Sequence, residues 1–344
     1  MNIKEKAILS YIDKADAFMA NKATGLKEIA YEVGLSINTV SRALRDCDDI
    51  AESTKKMIRE KAYELGYMPN TVSQFLKREG RQLVAIVAGN FQNYFFVTLS
   101  NKLVNTLFLA GYDYTIINMN NFSSCDLIKQ CISQRVDAII SLIQLDDDAL
   151  EIAKLHNIPI ICLGNNSESL DFDFIEPSNS SGVNIAANYL LNYHGISKLI
   201  YVYDHDNETC IKRGKLFEEA VKEINAQAEV KAIKLEEAIE TLPNLVRKGY
   251  TGVFCFNDEI AYILLDGINK KIPNFRRIYP RFHLIGYDAV CTHLIGMVDI
   301  TSIDYDYDLL AEKSVELLKD RLLNPKKERA AIKIPCHLHQ RKIN

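Results

Sequence analysis

Four side chains of contrasting chemistry lie close together near residue 40: Ile37, Asn38, Ser41 and Arg42. An arginine can donate two hydrogen bonds to guanine, an asparagine can pair with adenine, and an isoleucine can touch the methyl group of thymine. The start of a recognition helix presents side chains of this kind to the major groove. We therefore predict that these four residues read base edges. The alternative is an ordinary helical hairpin in a globular core, which gives little reason for an exposed Ile beside an exposed Asn.

Two short helices joined by a tight turn would position these side chains. The first helix has a single apolar face, because four apolar residues recur at helical spacing: Leu26, Ile29, Ala30 and Val33. Gly34 follows where the turn needs a residue free to take a positive φ angle, and the Ser36 hydroxyl can cap the second helix. The buried side of the second helix is predicted to consist of Val40, Ala43 and Leu44. The pattern predicts a helix-turn-helix.

A third helix and a short second DNA element follow the acidic loop 46–52. The helix begins near Ser53, is closed by Gly66 and is followed by Pro69. The next segment, residues 71–78, is too short to hold a helix alone. These parts in this order predict a sequence-specific DNA-binding protein whose affinity for DNA can be switched.

This arrangement closely resembles the lactose-repressor (LacI/GalR) family of bacterial transcription regulators. The resemblance rests on signature positions: Ala30, Gly34, Ser36, Thr39, Val40, Ser41, Arg42, Gly66, Tyr67, Pro69 and Asn70. It implies a DNA-binding domain at residues 23–69, and a hinge helix with its linker at 70–81 that folds only on operator DNA. In that family a hinge leucine wedges into the minor groove, and Leu76 is the matching residue. Such a wedge costs free energy of base unstacking, which the bend and the added contacts must offset.

The DNA-binding head carries little net charge. Residues 1–81 hold 14 lysines and arginines against 12 aspartates and glutamates, whereas the rest of the chain holds 27 against 33. Non-specific attraction to phosphates should therefore be modest, and polar contacts must supply much of the positioning. The residues expected to contact the DNA backbone are Ser36, Thr39, Thr54, Tyr67, Asn70 and Lys77.

Residues 1–22 are an addition that typical family members lack. Apolar residues recur there at helical spacing, with Lys and Asp on the other side: Ile8, Tyr11, Ile12, Ala15, Phe18 and Met19. We expect an extra amphipathic helix that packs on the DNA-binding head. Two other interpretations stay open, namely the first helix of a winged-helix regulator and an added dimer contact.

From residue 82 the pattern changes to buried strands that alternate with helices. Short apolar runs lie at residues 83–88, 114–118, 138–142, 158–163, 198–203, 252–256 and 282–286. Such alternation predicts βαβ units and parallel sheets. The fold class is therefore α/β. We expect an all-α helix-turn-helix head joined by a hinge helix to two doubly wound parallel sheets, which resemble the periplasmic-binding-protein-like core of the same family.

Residues 82–344 are expected to bind the effector and to dimerise. The N-lobe should take residues 82–178 and 306–333, and the C-lobe residues 179–305 and 334–344. Ligands of such folds bind at the carboxyl ends of the strands, so we expect a cleft between the two lobes.

The resemblance places seven effector-binding residues in this cleft: Phe91, Phe95, Asn165, Arg213, Asn257, Asp288 and Tyr305. The guanidinium of Arg213, the carboxylate of Asp288 and the amide of Asn257 can bridge the hydroxyl groups of a polyhydroxyl ligand. An aromatic ring can stack on the face of such a ligand. The sequence departs from the family at Tyr94, where Pro is usual, and at Gly164, where many sugar-binding members have Asp. The polar contact then shifts to Asn165 or is absent. The alternative for the charged pair is an interlobe salt bridge between Arg213 and Asp288 that only holds the lobes together.

Enzymatic and metal-binding interpretations have weaker support. Asp304, Asp306 and Asp308 offer paired carboxylates for acid–base chemistry, but capping of the following helix is the favoured interpretation. His337 and His339 would share a strand face, yet two ligands without partners do not make a metal site. The sequence contains no glycine-rich phosphate loop and no GxSxG elbow. We therefore expect a protein that is not an enzyme and has no cofactor.

The expected partners are double-stranded operator DNA, a sugar-like small-molecule effector and a second copy of the chain. A two-fold homodimer matches a roughly palindromic operator. The eight cysteines include no CxxC pair, so buried free thiols such as Cys162 and Cys255 are favoured over disulfides. No apolar run is long enough to span a membrane, and the first residues carry charges, so we expect a cytoplasmic protein without membrane contact. A solute-binding receptor would share the lobes but would need an export signal.

Overall fold

The computed structural model describes residues 25–67, 82–119, 122–164, 172–205, 208–290 and 300–341. The predictions for residues 1–22, for the hinge at 70–81 with Asn70, Leu76 and Lys77, and for Asn165 lie outside these ranges. The chain divides into two compact units, residues 1–80 and residues 81–344.

The described part of the first unit, residues 25–67, contains three helices, α1 (Leu26–Val33), α2 (Ile37–Leu44) and α3 (Glu52–Glu64). Gly34 ends α1 with a φ angle of 67°, which is the left-handed turn conformation that glycine adopts without strain. Ser36 caps α2, because its Oγ accepts a hydrogen bond from the Thr39 backbone N at 3.1 Å. The three helices enclose a small core of fully buried side chains, including Ile29, Val40, Ala43 and Ile58. The predicted helix-turn-helix is confirmed.

The first sheet of the second unit forms the N-lobe. Its six strands are β1 (Leu83–Ala88), β2 (Asp113–Asn118), β3 (Ala138–Ser141), β4 (Ile160–Leu163), β5 (Asp173–Pro177) and β11 (Ala331–Ile334). They are parallel and lie in the order β11-β5-β4-β3-β1-β2. The helices α4 (Tyr94–Leu109), α5 (Ser124–Ser133), α6 (Asp147–Leu155) and α12 (Tyr307–Leu323) accompany this sheet. Strands β1 and β4 are continuous apolar runs, and β3 is apolar up to its last residue, Ser141, as expected for strands buried on both faces.

The second sheet forms the C-lobe. Its strands are β6 (Lys198–Tyr203), β7 (Glu229–Lys234), β8 (Gly252–Cys255), β9 (His283–Tyr287), β10 (Thr301–Tyr305) and β12 (Cys336–His339), in the order β12-β10-β9-β8-β6-β7. Of these described strands, only β12 runs antiparallel to its neighbour. The C-lobe helices are α7 (Asn179–Asn188), α8 (Glu208–Ile224), α9 (Leu235–Arg247), α10 (Asp258–Lys271) and α11 (Phe275–Ile278). The α/β class with two doubly wound sheets is confirmed.

The chain passes between the two sheets three times, after β5, after β10 and after β11. The passages lie side by side: the Ser178 backbone N donates a hydrogen bond to the Ile334 carbonyl oxygen at 2.8 Å. Tyr305, at the end of β10, pairs in register with Cys336, at the start of β12. The three connections therefore form one hydrogen-bonded ribbon between the lobes.

Two aspartates cap helices, and one of them, Asp306, belongs to the three that raised the possibility of acid–base chemistry. Asp146 Oδ1 accepts from the Ala149 backbone N at 2.8 Å at the start of α6, and Asp306 Oδ1 accepts from the Leu309 N at 2.9 Å at the start of α12. Asp308 forms an ion pair with Lys102 of α4. The capping interpretation is confirmed at Asp306, and Asp304 instead accepts from the Tyr305 backbone N at 2.8 Å.

His337 lies on the edge strand β12, with its Nε2 3.3 Å from Asp304 Oδ2. Within the described ranges, no group of three or more His, Cys, Asp or Glu side chains is placed to hold a metal ion. Cys162 and Cys255 are buried and form no disulfide, as predicted. Of the helices that the structure describes, none combines the length and the apolar character that a bilayer crossing requires.

A stacked histidine pair in the C-lobe predicts acid sensitivity. The rings of His194 and His283 have centroids 3.6 Å apart, and burial, His194 and Arg276 lower the pKa of His283 from 6.5 to about 4. The unfolded chain binds this proton near pH 6.5, but the folded protein resists it until about pH 4. We expect the contribution of His283 to stability to be complete above pH 6.5 and to fall as the pH drops towards 4.

Urea unfolding of the full chain between pH 4 and 7 measures this effect. His283→Gln should flatten the slope of the unfolding free energy against pH, and substituting the exposed His156 should leave the slope unchanged. Equal slopes for His283→Gln and the unaltered chain would contradict the assignment.

Candidate functional site

The outward face of α2 carries the four predicted base-reading residues. Ile37 is 44% exposed at the first position of the helix, and Asn38 is exposed beside it. Ser41 and Arg42 are half-buried one turn later, and Arg42 Nη2 forms an ion pair with Asp49 Oδ2 in the acidic loop. Because the opposite face of α2 is buried in the head core, these side chains form a polar surface with one apolar contact point.

The described residues predicted to contact the DNA backbone belong to the same three-helix head. Ser36 Oγ and Thr39 Oγ1 lie 2.8 Å apart at the N-terminus of α2, a helix end that favours phosphate oxygens. Thr54 lies half-buried in the first turn of α3. Tyr67 packs against the head core, and burial raises the pKa of its hydroxyl, which stays protonated and can donate to a phosphate.

A second candidate site lies in the two-lobed unit, residues 81–344, and is centred on Arg213 of α8. Its side chain is 8% exposed and lies between two rings, with the guanidinium carbon 3.7 Å from the Tyr287 ring centre and 4.6 Å from that of Phe256. Nε donates to Asn179 Oδ1 at 3.0 Å, and Nη1 donates to the Phe256 carbonyl oxygen. These contacts fix the plane of the guanidinium.

Asn257 and Asp288 lie next to the two rings that hold Arg213. Asn257 caps α10, because its Oδ1 accepts from the Ile260 backbone N at 2.9 Å, which leaves the amide NH₂ to donate to a ligand. Asp288 follows β9, and burial raises the pKa of its carboxyl, against the opposing effects of Arg213 and the Tyr305 hydroxyl. The carboxyl ends of β8 and β9 therefore bring a cation, an amide and a carboxyl to one edge of the sheet.

Two tyrosines bond to Asp288, Tyr305 at the end of β10 in the C-lobe and Tyr307 at the start of α12 in the N-lobe. The Tyr305 hydroxyl donates to Asp288 Oδ1 at 3.0 Å, and the Tyr307 hydroxyl donates to the Asp288 carbonyl oxygen at 2.9 Å. The two rings stack with centroids 4.7 Å apart, and the Phe95 ring centre lies 6.4 Å from that of Tyr307. Tyr305 is almost fully buried, so its hydroxyl orients Asp288 and its ring is covered. Phe91, on the loop after β1, is the exposed ring of the predicted set.

A buried carboxylate holds the backbone that presents Asp288. Asp258 Oδ1 accepts from Ser302 Oγ at 2.6 Å, and Oδ2 accepts from the Val290 backbone N at 2.8 Å. Ser302 Oγ in turn accepts from the Ala289 backbone N at 3.0 Å. Asp288 and Ala289 have φ angles of 91° and 45°, which residues other than glycine adopt only under strain. The Asp258 and Ser302 contacts offset this strain.

The structure thus brings Arg213, Asn257, Asp288 and Tyr305 together and connects Phe95 to them through Tyr307. Gly164, which stands in place of an aspartate, ends β4 with a φ angle of 106°. The interlobe salt bridge considered from the sequence is wrong, because Arg213 and Asp288 both belong to the C-lobe. Sequence reasoning missed Asn179 and Tyr307 as partners, and nothing local signalled either one.

The chain matches two families of known proteins. Residues 25–70 match "Bacterial regulatory proteins, lacI family", and residues 188–342 match "Periplasmic binding protein-like domain". The chain therefore combines a LacI-family helix-turn-helix domain with a periplasmic-binding-protein-like domain.

Curated repressors align over most of this chain. The repressor PurR of Photobacterium profundum is 24% identical over 329 residues, which are 92% of this chain and 97% of that protein. The repressor PurR of Mannheimia succiniciproducens is also 24% identical, over 331 residues, with the same coverage of 92% and 97%.

Solved structures of two transcription regulators share the fold of this chain. A lac repressor dimer bound to operator and an anti-inducer has a TM-score of 0.76 at 18% identity, and the match covers 93% of this chain and 99% of that one. A complex of the regulator CelR with cellobiose has a TM-score of 0.63 at 19% identity and covers 93% of this chain and 100% of that one.

Proposed function

We propose that this LacI-family protein is a transcriptional repressor that reads its operator with α2 and releases or binds DNA according to a small molecule held in the core. The observation that carries the proposal is the outward face of α2, where Ile37, Asn38 and Arg42 stand beyond a fully buried face. The relatives named PurR are repressors, and the lac repressor structure contains operator DNA. In this proposal Ser36, Thr39, Thr54 and Tyr67 contact the DNA backbone.

The proposed effector is a sugar or a sugar derivative. Arg213 and the Asn257 amide supply donors, and Asp288 supplies an acceptor, so neighbouring hydroxyl groups can be bridged. Phe91 supplies an exposed ring for the apolar face of the ligand. Related structures contain ribose or cellobiose, which supports this class. An enzyme or a non-regulatory solute receptor on the same fold is the alternative.

A homodimer is proposed because the N-lobe carries an uncovered apolar surface. On α4, Tyr94, Val97 and Phe108 lie on one exposed helix face, and Leu109 beside them is 85% exposed. The strand β2 is the edge of its sheet and exposes Tyr114 and Ile116. Exposed apolar side chains in this number favour an interaction site, and a two-fold dimer would present two α2 helices to a palindromic operator.

Effector control requires that the ligand bind one arrangement of the lobes more tightly than the other. Asp288 bonds to Tyr305 on β10 and Tyr307 on α12, so a ligand that contacts this carboxyl also acts on the ribbon that joins the lobes. The proposal extends to the hinge, where Leu76 would enter the minor groove and where Asn70 and Lys77 would contact phosphates.

Selection of bound duplexes from a random DNA pool by the full-length protein tests the proposed function. We expect an enriched, roughly palindromic sequence, whose preferred bases change in Arg42→Ala but persist in Arg213→Ala. With that operator, ribose, cellobiose and related sugars are then tested for a change in DNA affinity and in melting temperature. Arg213→Ala should abolish the response to an active sugar. Failure to enrich any sequence, or chemical turnover of the sugar, would refute the proposal.

A further inference from the structure

The loop after the reading helix contains four carboxylates, Asp46, Asp48, Asp49 and Glu52. Two of these carboxylates, Asp46 and Glu52, form ion pairs with basic side chains of α3. Asp46 Oδ1 lies 2.7 Å from Arg59 Nη2, and the largely buried Lys55 reaches both Asp46, at 3.2 Å, and Glu52, at 2.7 Å. The hydrogen bond from Lys55 holds the pKa of Asp46 below its usual range. These contacts anchor both ends of the loop to the head.

Asp49 is anchored differently, because it faces the reading helix. Its carboxylate forms the ion pair with Arg42, and both side chains remain close to half exposed. The loop backbone is fixed on both sides of it: the Cys47 N donates to the Arg42 carbonyl oxygen at 3.1 Å, and the Ile50 N donates to the Cys47 carbonyl oxygen at 3.2 Å. Ile50 also packs against the head core. The carboxylate is therefore held beside the base-reading arginine by a defined backbone.

We propose that Asp49 is a specificity determinant of the DNA-reading surface, which orients Arg42 for one base edge and opposes its use as a general phosphate contact. The inference rests on the proposed function, in which α2 reads base edges. An arginine reads guanine with a fork of N–H groups, and Asp49 engages Arg42 through Nη2, so the fork keeps donors for the base. Holding the side chain in advance lowers the entropy that binding must remove.

The Asp49 carboxylate also discriminates between correct and incorrect DNA sequences through electrostatic repulsion. At an incorrect DNA site, an unpaired arginine would gain binding energy from any nearby phosphate. Asp49 neutralises the charge of Arg42 and repels the phosphates of the DNA backbone. At the correct site, the second carboxylate oxygen is an acceptor of the kind that contacts the cytosine amino group. Asp49 therefore weakens binding to wrong sequences more than binding to the correct one.

The test compares Asp49→Asn with Asp48→Asn in the full-length protein. Asp48 lies in the same loop and forms no ion pair with any residue that the structure describes, so both variants lose one negative charge but only one loses the contact with Arg42. An exposed ion pair contributes little to folding stability, so both variants should stay folded. The measurements are affinity for a random-sequence duplex as a function of salt, and base preferences selected from a random pool.

We expect Asp49→Asn to bind random duplex more tightly than Asp48→Asn does and to lose about tenfold in discrimination at one base pair of each half-site. Adding Asp49→Asn to Arg42→Ala should cause no further loss, because the two residues act as a unit. Equal behaviour of Asp49→Asn and Asp48→Asn would overturn the inference and leave the proposed function intact. Unchanged base preferences in Arg42→Ala would instead overturn the proposed reading function itself.

Discussion

Replacing Arg321 with alanine should lower the free energy of unfolding by about 3–5 kcal/mol, because it leaves a buried carboxylate without its cation. Arg321 on α12 is 4% exposed, and its partner Asp173 on β5 is fully buried. Nε donates to Asp173 Oδ2 at 2.7 Å and Nη2 donates to Oδ1 at 2.9 Å, the bidentate geometry that makes such pairs strong. Nη1 also donates to the Lys327 carbonyl oxygen at 2.6 Å, so the loop before β11 loses an anchor as well.

Arg329→Ala is the matched control for this variant. Arg329 Nη1 lies 3.9 Å from the same carboxylate, but its side chain is 37% exposed. We expect a loss below about 1 kcal/mol, which is typical of an exposed pair. Urea unfolding of the full chain measures both variants. Similar midpoints for Arg321→Ala and Arg329→Ala would show that the bidentate pair does not stabilise the N-lobe.

Gly286→Ala should be the most damaging small substitution in the C-lobe. A Cβ built at this position lies 1.9 Å from Asp258 Oδ1, and the Asp258 carboxylate cannot withdraw without breaking its bonds to Ser302 and the Val290 N. We expect a loss of about 3 kcal/mol in the free energy of unfolding. The strained backbone at Asp288 and Ala289 should loosen, so affinity for an active sugar should fall in the same variant.

A double-mutant cycle identifies the cause of that loss. Asp258→Ala alone removes the clashing atom but leaves the Val290 N–H unpaired, at a cost of about 1–3 kcal/mol. If the clash dominates, Gly286→Ala in the Asp258→Ala background should cost far less than in the unaltered chain. Additive losses in the free energy of unfolding would place the cause of the damage elsewhere.

The parts of the fold that could be predicted from sequence are those with a local signal. The strand Leu83–Ala88 is a continuous apolar run, the strand Ala138–Ser141 is apolar up to its last residue, and the turn at Gly34 with the cap at Ser36 follows from residue type alone. Strands such as Asp173–Pro177 and Glu229–Lys234 escaped prediction because they contain charged residues. Asp173 fits in a buried strand only because Arg321 neutralises it, and that partner lies 148 residues away in the sequence.

The residues of the candidate site also differ in whether the sequence alone could place them. Arg213, Asn257 and Asp288 could be placed together because the resemblance carries their positions over. Asp258 directly follows Asn257 in the sequence, but its hydrogen bond to Ser302 joins residues 44 apart, and no periodic pattern in the sequence indicates such a pair. The contact between Arg42 and Asp49 spans only a loop, yet it depends on the backbone of that loop, which the run of acidic residues does not specify.

The ribbon of three connections between the lobes limits how this core can move. The Ser178 N is hydrogen-bonded to the Ile334 carbonyl oxygen, and Tyr305 pairs with Cys336. When one connection bends, the other two must therefore bend with it. Such a joint behaves as a single mechanical axis, around which the lobes open or close by one angle. Ligands of different shape would then produce the same kind of motion and differ only in its extent. Chemically related effectors should therefore differ in the size of the response that they produce, and not in its kind.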